Sequence, residues 1–260
     1  MSEVWRFPFG EPVRRVVQAD RGEKRAFVLG VYASAVHARW VGRDGGNLVK
    51  ALAVASEPEI FWRGEREAAE EIIGAISVPE QAGQLTPTDS MFNGPSGVAL
   101  DERILSPLGL GRSDCWLCDL VPYSCSNDNQ RAAIENHYRP LVAELGLPEP
   151  SVPAVPKELA DDARRREILD ELDASAARLL ILLGDKPIKH FMRPLVDGWT
   201  RLSAFEAYGR LHRVTLDGRE VFALPLAHPR QVARLGRHSR DWFEQHQGWI
   251  DRVAAGLALP

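Results

Sequence analysis

The chain has 260 residues, 45% of them hydrophobic, enough to bury a sizeable core, and carries a net charge of -4 at pH 7. No apolar run approaches the ~20 residues of a membrane span, and the start MSEVWRFPFGEPVRR lacks a secretory apolar stretch. These features argue against a membrane partner and lead us to expect a cytoplasmic protein.

The cysteines Cys115, Cys118 and Cys125 share one short segment, which argues against a secreted disulfide framework. A closed zinc or iron–sulfur site needs a fourth ligand that this set lacks, so neither a metal nor another cofactor is expected.

In chain order, Arg25 to Gly30 reads as a buried strand, and Asn47 to Ser56 as an extra one. Arg66 to Ile76 has a helical pattern. Cys115 to Pro122 is the next apolar strand, followed by a helix over Asn129 to Gly146, which Gly146 stops. A proline-rich loop leads to a helix over Lys157 to Ser175, and Arg178 to Gly184 is again strand-like. A hairpin turning at Asp217-Gly218 delivers the strand Glu220 to Ala227, and Ser239 N-caps a final helix to Leu257. Strands alternating with helices predict an α/β fold, a three-layer α/β/α sandwich with a mostly parallel central sheet. One domain over 1–260, acting as a monomer, is the simplest account.

Open sheets of this kind bind ligands beyond the carboxyl ends of their strands. The stretches to search are therefore Gly30 to Ser34, Asp119 to Ser126, Gly184 to Lys186 and Ala227 to Arg230. The last opens a basic run, HPRQVARLGRHSR, with Arg230, Arg234, Arg237 and Arg240 and no acid. By itself such a run reads first as a solvated helix face.

The stretch MFNGPSGVALDERILSPLGLGRSDCWLCDLVPYSCSNDNQ (Met91 to Gln130) resembles the uracil-DNA glycosylase superfamily, most closely its iron–sulfur bacterial and archaeal branch. Its Phe-x-Gly-x-x-Gly turn, leucine-spaced helix, strand and polar loop are followed by LLILLGDKPIKHF and LPLAHPRQ in the family's order. The likeness runs from about Arg25 to Gly236 as scattered short motifs.

The resemblance implies a role for each position. Phe92 stacks on an extruded base, with Asn93 beside it, and Gly30, Val31, Tyr32 and Ser34 line the pocket. His228-Pro229 matches the start of a His-Pro-Ser motif whose histidine hydrogen-bonds a base carbonyl and stabilises the departing anion. Arg230, Arg234 and Arg237, with Ser126 of the polar loop, would hold DNA phosphates. For Phe92 a core position is an equal reading, and Ser126 also fits an ordinary turn.

Several residues depart from the family pattern. Gly30-Val31-Tyr32-Ala33-Ser34 lacks the carboxylate or amide that positions water and the proline that stiffens the loop. Tyr32 is a poor general base at neutral pH. Asp119 stands where the branch has an asparagine that reads the uracil edge. An ionised carboxylate only accepts hydrogen bonds, so Asp119 suits a base with an exocyclic amine, or is protonated, or activates water, or caps the following loop. Arg230 replaces the motif's serine, and the cluster cysteines are missing.

Together these readings predict a divergent DNA glycosylase with weak or no action on uracil, whose catalytic residues are His228, Asp119 and Tyr32 and whose partner is DNA bearing a modified base. The alternatives are a base-binding member of the fold without hydrolysis and a hydrolase of small nucleosides.

Overall fold

A computed structural model describes residues 4–235 and 239–254. Its strands, in chain order, are β1 (Ala26–Tyr32), β2 (Ala35–Val41), β3 (Asn47–Ser56), β4 (Gln84–Pro87), β5 (Cys115–Val121), β6 (Leu179–Leu183), β7 (His212–Leu216) and β8 (Arg219–Leu226). The chain divides into two compact units, each assembled from separated stretches: Met1–Val16, Ala33–Pro95 and Tyr123–Pro156 in one, Val17–Tyr32, Ser96–Pro122 and Lys157–Pro260 in the other.

The second unit holds the expected sheet, in the order β5-β1-β6-β8-β7. Its first four strands run parallel, and β7 joins antiparallel through the hairpin at Asp217 and Gly218. Every residue of β5 and β6 is buried, which is why both read as continuous apolar runs rather than alternating ones. The Asp162–Ala174 helix starts later than the charge pattern suggests, because Asp161 caps it by accepting the Arg164 N–H at 2.8 Å. Leu159 and Ala160, just before the cap, are buried. The last helix is described over Ser239–Ala254, so its expected end at Leu257 lies outside the described residues.

The first unit is built on a three-stranded antiparallel sheet, β3-β2-β4. The extra strand expected at Asn47 to Ser56 is present with those bounds, but it pairs with β2 in this separate sheet. Sequence reading gave β2 no strand of its own, although VHARWV alternates in burial along its length. Phe9, Trp40 and Tyr138 form the aromatic centre of this unit, with ring centroids 5.0–6.0 Å apart. The Tyr138 hydroxyl accepts from the Phe9 N–H at 2.8 Å and donates to the Pro148 carbonyl at 3.0 Å, satisfying a buried polar tip. The helix expected over Asn129 to Gly146 is present in three pieces, Asp128–Ala133, a π turn Ile134–Tyr138, and Arg139–Leu145. Pro140 accounts for the break: it supplies no N–H to the preceding turn.

Candidate active site

In the second unit, the parallel strands β5, β1, β6 and β8 end at Val121, Tyr32, Leu183 and Leu226. Register sets Gly30 opposite Asp119 and Leu183 opposite Leu226. Asp119 is only 4% exposed. Burial pushes its carboxyl up to about 7, against the opposing pull of the Arg164 guanidinium and of a hydrogen bond from the Val31 backbone N–H. Val31 therefore contributes its main chain to this edge. Tyr32, at the end of β1, is 39% exposed.

His228 follows β8 and N-caps the short Pro229–Val232 helix. The Arg230 N–H donates to His228 Nδ1 at 3.3 Å, and the His228 N–H donates to Gln231 Oε1 at 3.3 Å. Burial, aided by the Arg230 charge, pushes the His228 imidazole down to about 4. The ring is thus neutral at neutral pH, and with Nδ1 accepting, its proton sits on Nε2. Gly184 closes against it: the Gly184 N–H donates to the Leu226 carbonyl at 2.7 Å, and a Cβ at residue 184 would stand 3.3 Å from His228 Cβ.

Four strand spacings separate β5 from β7, and three separate β5 from β8, so the backbones carrying Asp119 and His228 are about 14 Å apart.

Among the cations, Arg230 is exposed beside His228, and Lys186 is exposed just past β6. Arg234 is exposed too, but its guanidinium lies over the Phe243 ring, 3.9 Å from the centroid. Arg237 lies outside the described residues.

Ser34, Phe92, Asn93 and Ser126 belong to the first unit. Phe92 is half-buried in a turn, its N–H bonded to the Asp89 carbonyl at 2.9 Å. Asn93 is 5% exposed, and its carboxamide is spent on the His37 backbone, accepting the N–H at 2.8 Å and donating to the carbonyl at 2.9 Å. Ser126 is equally committed: it is 3% exposed, its N–H donates to the Pro153 carbonyl at 2.8 Å and its hydroxyl to the same carbonyl at 3.2 Å. For Asn93 and Ser126 this bonding is structural, and neither group as placed is open to a base or phosphate. The Ser34 N–H donates to the buried Glu57 carboxylate at 2.9 Å.

Three residues of the second unit were missed by sequence reading. Arg164 is bonded to the strand that carries Asp119. Tyr208 and His246 reach the strand end before His228: the Ala227 N–H donates to the Tyr208 hydroxyl at 2.9 Å, that hydroxyl donates to His246 Nδ1 at 2.6 Å, and His246 Nε2–H donates to the Arg103 carbonyl at 2.8 Å. Burial pushes His246 down to about 4, so it is neutral, as this directionality requires.

All three thiols are pushed up by burial, Cys115 to about 12 and Cys125 to about 11, which suits inert side chains. Among the described residues no cluster of His, Cys, Asp or Glu could hold a metal ion. Nor, among them, is any helix long and apolar enough to cross a membrane.

The sequence profile of the Uracil DNA glycosylase superfamily matches residues 72–247. The chain belongs to this superfamily. No curated protein matches the chain. The superfamily match takes in Phe92, Asp119, His228 and the arginine run and stops short of Gly30 to Ser34, the motif whose residues depart most from the family pattern. Membership fits the mostly parallel central sheet and brings DNA glycosylase chemistry as the family's activity.

Proposed function

We propose that this protein is a divergent DNA glycosylase that extrudes a modified base and hydrolyses its N-glycosidic bond. The observation that supports this reading best is the placement of two oppositely tuned groups near the carboxyl ends of parallel strands of one sheet: a buried carboxyl at Asp119 on β5 and a neutral imidazole at His228 just past β8.

In the reaction, the bond from the sugar to the base breaks with its electron pair leaving on the base. His228 Nε2–H donates to the base carbonyl as negative charge builds there, without the cost of transferring a full proton. The oxocarbenium character left on the sugar is quenched by water, whose proton passes to solvent or to the departing base. Asp119 meets the edge of the base. Its outer oxygen accepts from an exocyclic amine when ionised and donates to a carbonyl when protonated. Tyr32, exposed at the end of β1, lines the pocket. Arg230, with Lys186 past the neighbouring strand, holds phosphates flanking the extruded nucleotide. A monomer in the cytoplasm is the form we assign to it.

Incubation with oligonucleotides bearing a panel of base lesions, followed by alkaline cleavage, tests the proposal. Strand breaks are expected for lesions with an exocyclic amine, with His228→Ala slower by about 10²–10³. Specific binding without breaks across the panel would instead make the chain a base-binding member of the fold. Cleavage of free nucleosides, indifferent to salt, would make it a nucleoside hydrolase.

A further inference from the structure

Arg164 sits in the first turn of the Asp162–Ala174 helix, on the same face as the buried Ile168, Glu171 and Leu172. Its side chain is 11% exposed. A guanidinium has five N–H donors, and here all are used. Nε donates to the Leu120 carbonyl at 3.1 Å, Nη1 to Glu167 Oε2 at 2.8 Å and Glu171 Oε1 at 3.3 Å, and Nη2 to the Asp119 carbonyl at 2.7 Å and Cys118 Sγ at 3.2 Å. Glu171 is fixed in turn, its other oxygen accepting from Trp116 Nε1 at 3.0 Å.

Three of these bonds fall on three successive residues, Cys118, Asp119 and Leu120, of an edge strand whose outer polar groups no neighbouring strand takes up. Glu167 and Glu171 lie on the helix that carries Arg164, so an ion pair with them alone would stay within that helix and leave β5 untouched. Instead the charge is carried to the main chain of the residue whose carboxyl faces Val31. Arg164 is the charged group that acts on that carboxyl. Cys118 beside it stays a thiol because of burial, and β1 contributes the Val31 N–H.

We propose that Arg164 is a positioning residue for Asp119, holding the strand end that carries the carboxyl and setting its protonation state with a fixed positive charge, and so selecting the class of base read. With one oxygen accepting from Val31, the proton of a neutral Asp119 lies on the other oxygen, which then donates to a carbonyl edge. Loss of that proton turns the same oxygen into an acceptor for an exocyclic amine. Arg164 biases the choice toward the acceptor. The base-selection half of this inference rests on the glycosylase reading; the electrostatic half does not.

The test is a carboxyl ¹³C NMR titration of Asp119, assigned with Asp119→Asn, in the wild type, in Arg164→Lys and in Arg164→Met/Glu171→Gln, which removes both charges of the buried pair. The Asp119 midpoint is expected to rise by about 1–3 pH units in the double variant and by less in Arg164→Lys. A midpoint unmoved in a folded double variant overturns the inference. So does a chain that folds with neither set of substitutions, since Arg164 would then be a structural clamp alone. Because the titration needs no substrate, a shifted midpoint in a protein inert on every lesion sinks the glycosylase reading while leaving the electrostatic role intact. In an active protein, the double variant is expected to lose preference for amine-bearing over carbonyl-bearing bases between pH 7 and 8.

Discussion

Val31 donates its backbone N–H to the carboxyl of Asp119, across a parallel pair in which Gly30 stands opposite Asp119. One such bond does not offset burial, and the carboxyl rises to about 7 from an ordinary value near 4. Below about pH 4 both the folded and the unfolded chain hold this proton, and the contribution to stability is fully present. Between 4 and 7 the folded chain keeps a proton that the unfolded chain has released, so stability falls as pH rises, and the loss is complete above about 7. Asp119→Asn has nothing to titrate. Relative to the wild type it is expected to gain about 2–4 kcal/mol in going from pH 4 to pH 8, read by urea denaturation at both values. Parallel stability curves for the two proteins would mean that Asp119 is ionised at little cost.

Gly184 makes a second prediction. It has φ +88, where a side chain is strained, and a Cβ would press on His228 Cβ at 3.3 Å. Gly184→Ala is expected to cost about 1–3 kcal/mol of stability and to displace His228. Base excision should fall far more than binding to an abasic-site oligonucleotide. An equal fall in both would place the defect in DNA binding instead.

In the second unit β5 and β6 were legible because they are buried along their whole length and so form unbroken apolar runs, as LLILL of β6 does. β7 alternates in burial and was marked by its Asp217-Gly218 turn. β2 was not legible, since it follows β1 after only two residues and the apolar signal of one ran into the other. The positions of Asp119 and His228 near the ends of β5 and β8 were legible, because an apolar strand followed by a polar break marks its own carboxyl end. Asn93 and Ser126 misled because polar residues in loops serve the local backbone as readily as a ligand, and only coordinates show which. Arg164 had a signal: it falls four residues before Ile168 and eight before Leu172, on the apolar stripe, yet ARRRE reads as a solvated charge run. His246 likewise shares a stripe with Trp242, Trp249 and Val253, but its partners Tyr208 and Arg103 are far away in the chain.

The exposed arginines should separate in salt titrations. Arg230 lies beside His228, whereas Arg234 has φ +60 and its charge rests on the Phe243 ring. Arg230→Ala is expected to lower the slope of log affinity against log salt by about 1, the loss of one phosphate contact. Arg234→Ala should change the slope less and lower stability instead, through the lost stacking contact of about 0.5–2 kcal/mol. Fluorescence anisotropy with a labelled duplex between low and moderate salt measures both slopes. Equal slopes for Arg230→Ala and the wild type would remove Arg230 from the phosphate contacts.

Tyr208 ties the residue before His228 to a neutral histidine on the last helix. In Tyr208→Phe the ring stays, but the Ala227 N–H and His246 Nδ1 both lose their partner. A buried polar group left unsatisfied costs about 1–3 kcal/mol, so the variant should be measurably less stable in thermal or urea unfolding. The effect should also reach the site, because Ala227 leads directly into His228, whose Nδ1 accepts from Arg230 and whose proton is thereby kept on Nε2. Imidazole ¹⁵N NMR reads that tautomer. The wild type is expected to show His228 with Nε2 protonated, and Tyr208→Phe a mixture of tautomers with slower base excision. If the His228 nitrogen shifts match the wild type while stability falls, Tyr208 supports the fold without orienting the histidine.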